Sequence, residues 1–136
     1  MIEAAPYPPT AHARVAPGRV HLLVVDDDRD IRETLQELLE GEGYEVATAR
    51  NGHEGLARAR ELRPSMILLD LFMPTMDGAE FRRQQLDDGE LAEIPVVLVS
   101  AAAGVEERIA PLKVAAHLEK PLDIELLFET VARYCG

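Results

Sequence analysis

Polar side chains stand where four of five short apolar segments of the sequence end. Asp26 and Asp27 follow the first segment, and Asp70 follows the third. Ser100 ends the fourth segment, and Lys120 stands just after the fifth. Ligands of open parallel sheets bind outside the carboxyl ends of the strands, so we expect these side chains to surround one crevice. The sequence predicts a site with three carboxylates, a hydroxyl and an ammonium group.

Three carboxylates in one crevice need a counter-charge. Two unit charges about 4 Å apart repel each other by about 4 kcal/mol at an effective dielectric constant of about 20. Mg²⁺ suits such a site because it prefers oxygen ligands and keeps open positions for water or a phosphoryl oxygen. One carboxylate then remains able to attack phosphorus. Ser100 would hydrogen-bond one phosphoryl oxygen, and Lys120 would pair with another. These residues predict Mg²⁺-dependent phosphoryl chemistry.

The elements that must position these residues alternate along the chain. From Val20 onward, apolar runs alternate with amphipathic stretches, which predicts an α/β fold with a doubly wound parallel sheet. Five strands and five helices are expected in residues 20–136, and Pro111 should keep the fourth helix short because proline lacks an amide donor. The predicted strands are His21–Val25, Tyr44–Ala49, Met66–Leu69, Val96–Val99 and Val114–Leu118.

Composition restricts the classes of partner. Residues 1–19 contain four prolines and no periodicity, so they are expected to form a flexible leader. A formal net charge of -11 opposes nucleic-acid binding. The sequence has neither a signal peptide nor an apolar run of about 20 residues, and the single Cys135 favours a reducing compartment. We expect a cytoplasmic protein, a monomer or weak homodimer, with no nucleic-acid or membrane partner.

Four stretches carry a family resemblance. Leu22–Asp27 resembles the first strand and acidic pair of response-regulator receivers, and Arg63–Gly78 resembles their phosphorylation-site segment. Val97–Ala101 and Lys120–Pro121 match the two remaining signatures in the same order. The resemblance covers residues 20–136. It implies a flavodoxin-like sheet with strand order 2-1-3-4-5 and five helices.

The resemblance also implies a role for each acidic residue. Asp70 would accept a phosphoryl group from a sensor histidine kinase or a histidine phosphotransfer protein. Asp27 would bind Mg²⁺ directly, Asp26 would hold a metal-bound water, and the backbone carbonyl of Phe72 would complete the protein ligands together with Asp70. The bulky Phe72 side chain is expected to restrict attacking water and slow dephosphorylation.

Further switch residues follow from the same resemblance. Lys120 would contact the phosphoryl group, Ser100 would move toward it, and a cis peptide bond is expected before Pro121. His117 occupies the switch position three residues before the lysine, where the family usually has Tyr or Phe. Histidine is smaller than either and titrates near neutral pH. Movement at His117 would change the outer face of the domain.

Together these features predict a single-domain response regulator of two-component or phosphorelay signalling. It would not be an enzyme, and its output would pass through a downstream effector protein. One alternative is a haloacid-dehalogenase-like phosphohydrolase, since Asp26 and Asp28 have the Asp-x-Asp spacing of that family. The other alternative is a pseudo-receiver, an interaction module that ignores phosphate. Labelling by acetyl phosphate and the response to beryllofluoride distinguish these hypotheses.

Overall fold

A five-stranded parallel sheet with the strand order β2-β1-β3-β4-β5 forms the centre of the protein. The computed structural model describes residues 20–101 and 104–135, so the predicted leader, residues 1–19, lies outside the described residues. The predicted fold class and strand order are confirmed. The strands are β1 (Leu22–Val25), β2 (Val46–Ala49), β3 (Met66–Asp70), β4 (Val96–Ser100) and β5 (Ala116–Glu119). The helices are α1 (Arg29–Gly41), α2 (Gly52–Leu62), α3 (Gly78–Asp87), α4 (Glu106–Ile109) and α5 (Ile124–Cys135).

Apolar side chains on both faces of the sheet form two core layers. All residues of β1, β3 and β4 are buried, as expected for central parallel strands covered on both sides. Leu23, Leu69 and Leu98 point into the layer that includes Phe81 of α3. The alternate strand residues pack in the other layer with the buried residues of α1 and α5. The two layers hold the strand ends in fixed positions.

Side-chain caps set where three helices begin. The Asp28 side chain accepts hydrogen bonds from the backbone N–H groups of Asp30 and Ile31 at the start of α1. Asn51 caps α2 and Asp77 caps α3 in the same way. Such caps satisfy amides that have no partner within the helix. Within the described ranges, no helix has both the length and the apolar character needed to cross a membrane.

β1 begins one residue later than predicted, at Leu22, and the starts of two other strands differ from the prediction by two residues. β2 was expected to begin at Tyr44, but the Tyr44 amide still donates to the Leu39 carbonyl at the end of α1. β5 was expected to begin at Val114, but Lys113 just before it has a φ of 53°, in the left-handed region. In both cases the chain is still turning out of the preceding element. Both strands therefore begin two residues later, at Val46 and Ala116.

The fourth helix is short, as predicted, but the chain does not leave the helical path at Pro111. A 3₁₀ turn, Ala110–Leu112, continues α4 and contains Pro111. The guanidinium group of Arg82, on α3, is buried and donates to the carbonyl oxygens of Leu112 and Lys113 at 2.9 Å each. Arg82 thereby satisfies carbonyl groups at the end of this turn and ties it to α3.

Candidate metal and phosphoryl-acceptor site

Three carboxylates meet at the carboxyl ends of β1 and β3. The two strands are paired with Val25 opposite Leu69, so Asp26 and Asp70 follow at neighbouring positions. One oxygen from each of Asp26, Asp27 and Asp70 lies within 4.8 Å of the others. Asp26 and Asp70 are buried, whereas Asp27 is exposed. The predicted acidic cluster is present, with one side open to solvent.

Burial and mutual repulsion make the ionised form of this cluster costly. Burial, and then the charge of Asp26, raise the pKa of the Asp70 carboxyl from its ordinary value of 3.8 to about 6. Burial also raises the pKa of Asp26, although its hydrogen bond from the Asp28 amide and the charge of Lys120 oppose the rise. The two buried carboxylates therefore lack enough positive charge among the side chains around them.

Lys120 is the cation that contacts this cluster. Its Nζ atom lies 3.4 Å from Asp26 Oδ2 and 3.6 Å from Asp70 Oδ1. The residue follows β5, and its amide donates to the carbonyl of Ser100 at 2.8 Å. The peptide bond between Lys120 and Pro121 is cis. The ammonium group thus lies beside both buried carboxylates.

Backbone and side-chain donors orient the carboxylates. The amide of Asp28 donates to Asp26 Oδ1 at 2.9 Å, and the amide of Phe72 donates to Asp70 Oδ1 at 3.3 Å. Arg32 of α1 donates from Nη1 to the backbone carbonyl of Asp26 at 2.8 Å. Arg32 was not predicted as a site residue, because a charged residue on an amphipathic helix is usually solvated. Arg32 lies six residues after Asp26, near the start of the following helix, and this position was the one feature of the sequence that could have indicated the contact.

Gly78 lets the chain return close to Asp70. Its amide donates to the carbonyl of Leu71 at 2.8 Å, at the start of α3. A Cβ atom at this position would lie 2.8 Å from both the Asp70 carbonyl oxygen and the Leu71 Cα atom. Both are backbone atoms that cannot swing aside. The Asp77-Gly78 pair therefore has two physical roles, a helix cap and a close backbone approach.

Ser100 and His117 contact each other beside the acidic cluster. Ser100 ends β4 and is fully buried, and its Oγ atom lies 3.1 Å from Nε2 of His117 on β5. Asp70 pairs in register with Val99, so Ser100 lies one residue beyond that pairing. The two predicted switch residues are directly linked by a hydrogen bond.

Phe72 stands two residues after Asp70, and its side chain is exposed. The guanidinium carbon of Arg108, on α4, lies 5.3 Å from the centre of its ring, a cation–π distance. This contact joins the loop after β3 to the shortened α4. The contact could not be predicted from the sequence, because no sequence pattern relates the two segments.

The residues of this cluster fit Mg²⁺ rather than a softer metal. The cluster offers only carboxylate oxygens, the donors that hard cations prefer, and its two buried carboxylates have raised pKa values. Asp28 is not part of the cluster, because its carboxylate caps α1. The carboxylate cluster therefore does not include the second aspartate of the Asp-x-Asp spacing on which the hydrolase alternative rests.

Comparison with known proteins decides the family. Residues 22–132 match the family model of the response regulator receiver domain. The chain belongs to this family. A curated relative of this receiver, polar-differentiation response regulator DivK of Brucella anthropi, is 38% identical over 117 residues, which span 85% of this chain and 95% of that protein. The corresponding Brucella ovis protein is 37% identical over 117 residues.

Solved structures agree with the fold of this receiver. Vibrio cholerae chemotaxis protein CheY4 superimposes with a TM-score of 0.78 at 30% identity, covering 86% of this chain and 99% of that chain. A response regulator receiver protein from Pseudomonas putida has a TM-score of 0.79 at 28% identity, covering 87% and 99%. The protein is therefore a response-regulator receiver domain of the kind used in two-component signalling.

Proposed function

We propose that this receiver accepts a phosphoryl group on Asp70 from the phosphohistidine of a sensor histidine kinase or a histidine phosphotransfer protein, in a Mg²⁺-dependent reaction. One observation carries the proposal. Two buried carboxylates and a third, exposed one converge within 4.8 Å, and the Lys120 ammonium group lies 3.6 Å from Asp70. Asp26, Asp27, Asp70 and the carbonyl of Phe72 would hold the ion.

In the proposed reaction, an Asp70 carboxylate oxygen attacks phosphorus. The new P–O bond forms as the P–N bond breaks, and the ring nitrogen of the leaving histidine keeps the electron pair and takes up one proton from water, which gives a neutral imidazole. When bound, Mg²⁺ supplies positive charge that offsets the negative charge of the transferring group. Lys120 offers a point charge to a second phosphoryl oxygen. The Asp70 carboxyl must be ionised to attack, so its raised pKa of about 6 predicts slower transfer in weakly acidic solution.

An apolar groove beside the site supports docking of the phosphodonor. The groove, of about 380 Å³, is lined by Ile31 and Leu35 of α1 and by Leu122 and Ile124 after β5, and Lys120 also lines it. A phosphohistidine must come within bonding distance of Asp70, so the donor protein has to cover the surface next to it. We infer that the donor binds this groove with apolar side chains.

Matched substitutions on α5 test the docking surface. Ile124 and Leu126 are exposed apolar residues at 38% and 47%, but only Ile124 lines the groove beside Lys120. Ile124→Asp should lower the rate of transfer from a phosphorylated kinase by at least about tenfold and leave labelling by acetyl phosphate unchanged. Leu126→Asp should leave both reactions unchanged. Equal losses in both variants would contradict the proposed surface.

Phosphotransfer profiling tests the acceptor itself. The receiver is incubated with a panel of kinases carrying labelled phosphohistidine, with Mg²⁺ or with EDTA, and Asp70→Asn is the control. We expect transfer from at least one kinase, only with Mg²⁺ and only to the unsubstituted protein. If neither a kinase nor acetyl phosphate labels the protein, the pseudo-receiver hypothesis replaces this one. Continuous release of phosphate from added substrates would favour the hydrolase alternative.

We further propose that phosphorylation moves Ser100 and Lys120 toward the phosphoryl group and alters the surface near His117. The added charge, close to -2 by analogy with other phosphorylated residues, supplies the driving force. A downstream effector protein in the cytoplasm would read this change, through a pre-existing equilibrium with a coupling of about 1–3 kcal/mol. Binding of an effector in the presence and absence of beryllofluoride measures that coupling.

A further inference from the structure

The contact between Ser100 and His117 has a chemical feature that a Tyr or Phe at the switch position cannot provide. Oγ and Nε2 are 3.1 Å apart, a hydrogen-bond distance. A neutral imidazole with its proton on Nδ1 accepts at Nε2, whereas an imidazolium donates there. Ser100 is fully buried, and His117 is partly exposed. The direction of this hydrogen bond therefore depends on whether His117 carries a proton on Nε2.

A phosphoryl group on Asp70 would fix that direction. A serine hydroxyl has one proton to donate and two lone pairs that can accept. The dianionic phosphoryl oxygens are acceptors only, so Ser100 must donate its one proton to them. Nε2 of His117 can then keep its contact only as the donor, which gives the chain Nε2–H to Oγ–H to phosphoryl oxygen.

We propose that His117 is a positioning residue that acts through Ser100, and that phosphorylation of Asp70 is coupled to proton uptake by His117. The inference rests on the proposed function. A neutral ring with its proton on Nε2 would satisfy the geometry, but the phosphoryl charge favours the imidazolium. Coupling is reciprocal, so protonation of His117 in turn stabilises the phosphorylated state.

Other charged side chains also lie near His117, whether or not Asp70 carries a phosphoryl group. Glu119 and Asp123 line a cavity of about 420 Å³ together with His117. Both carboxylates are present with and without the phosphoryl group, so they do not make the charge of His117 depend on phosphorylation. On the same face of the sheet, α4 carries three exposed charged residues, Glu106, Glu107 and Arg108.

A histidine NMR titration tests the coupling directly. The protonation midpoint of the His117 ring is measured in two samples, one with Mg²⁺ alone and one with Mg²⁺ and beryllofluoride. We expect the midpoint to rise by about one pH unit when beryllofluoride binds. By linkage, that rise corresponds to beryllofluoride binding up to about tenfold tighter when His117 is charged than when it is neutral.

The affinity for beryllofluoride provides the second readout. The affinity is measured at about pH 6 and at about pH 8. The Asp70 carboxyl, whose pKa is raised to about 6, also changes its charge in this range, so the informative quantity is the affinity of the unsubstituted protein divided by that of His117→Gln. This ratio should rise several-fold toward the lower pH. Glutamine keeps an N–H donor but cannot take up a proton. A pH-dependent ratio therefore reports protonation of His117 and not only its packing or its hydrogen bond.

The possible results separate this inference from the proposed function. A raised midpoint together with a pH-dependent affinity ratio supports the coupling. If beryllofluoride binds but the His117 midpoint stays unchanged or falls, the coupling is wrong and the phosphoryl-acceptor site stands. If beryllofluoride does not bind at all, the acceptor site is wrong and the coupling fails with it.

Discussion

Replacing Asp70 with asparagine should make the metal-free protein more stable, although it removes the proposed acceptor. Asp70 is buried beside Asp26, and both carboxyls have raised pKa values because burial disfavours their charged forms. Asparagine is close in shape and can still accept the hydrogen bond from the Phe72 amide. It also removes the charge that Asp26 repels. The substitution tests whether burial and charge repulsion among these carboxylates destabilise the protein when no cation is bound.

The magnitude follows from the pKa of Asp70. A carboxyl whose pKa is raised on folding, here from 3.8 to about 6, binds its proton more tightly in the folded state. Its contribution to stability is therefore most favourable below about pH 4 and is lost as the pH rises through about 6. The difference between the two pKa values corresponds to about 3 kcal/mol. Asp70→Asn should gain up to that amount above about pH 7 and nothing below about pH 4.

Urea denaturation in EDTA, repeated from about pH 4 to about pH 8, measures this gain. Asp87→Asn is the matched control, because Asp87 is an exposed carboxylate at the end of α3, and its effect should stay within about 0.5 kcal/mol. Saturating Mg²⁺ should reduce the advantage of Asp70→Asn, since the ion stabilises the protein that retains all three carboxylates. An Asp70→Asn protein that is no more stable than the original at neutral pH would refute the reasoning.

Three further predictions concern neighbouring residues. Lys120→Met removes the counter-charge of Asp26 and Asp70, so the free energy of unfolding at neutral pH should fall by about 1–3 kcal/mol in EDTA and by less in saturating Mg²⁺. Arg82→Met leaves the carbonyls of Leu112 and Lys113 without the buried guanidinium donor and should cost about 2–4 kcal/mol in urea denaturation. The exposed neighbour Arg83 is the control, and Arg83→Met should change stability by less than about 1 kcal/mol. Phe72→Asn should shorten the half-life of the acyl phosphate several-fold, as followed by loss of label, because we expect the bulky side chain two residues after Asp70 to restrict attacking water. An unchanged half-life would contradict this role.

The sequence predicted the acidic cluster because strand ends are easy to locate. An apolar run followed by a carboxylate identifies both the strand and the residue at its tip, as for Met66–Asp70. In a parallel sheet all carboxyl ends lie at one edge, so Asp26 and Asp70 had to be neighbours once β1 and β3 were paired. The leader boundary and the chemical roles of the site residues stay predictions.

Contacts that depend on side-chain conformation could not be predicted in the same way. Strand alternation indicates which face of the sheet His117 occupies, but not that its ring reaches Ser100. From the sequence, Arg82 would be predicted to face solvent on an amphipathic helix. In the structure it is buried, and its acceptors at Leu112 and Lys113 lie 30 and 31 residues further along the chain. Such pairings arise from tertiary packing, which a local pattern does not encode.

Mapping the phosphorylated residue by mass spectrometry tests the central claim most directly. The protein is incubated with acetyl phosphate and Mg²⁺, and the acyl phosphate is reduced with borohydride before proteolysis, which marks the aspartate that carried it. The account predicts a single marked residue, Asp70, and no marking in EDTA. Marking at Asp26 or Asp27 instead, or marking of Asp70 that persists without a divalent cation, would contradict it.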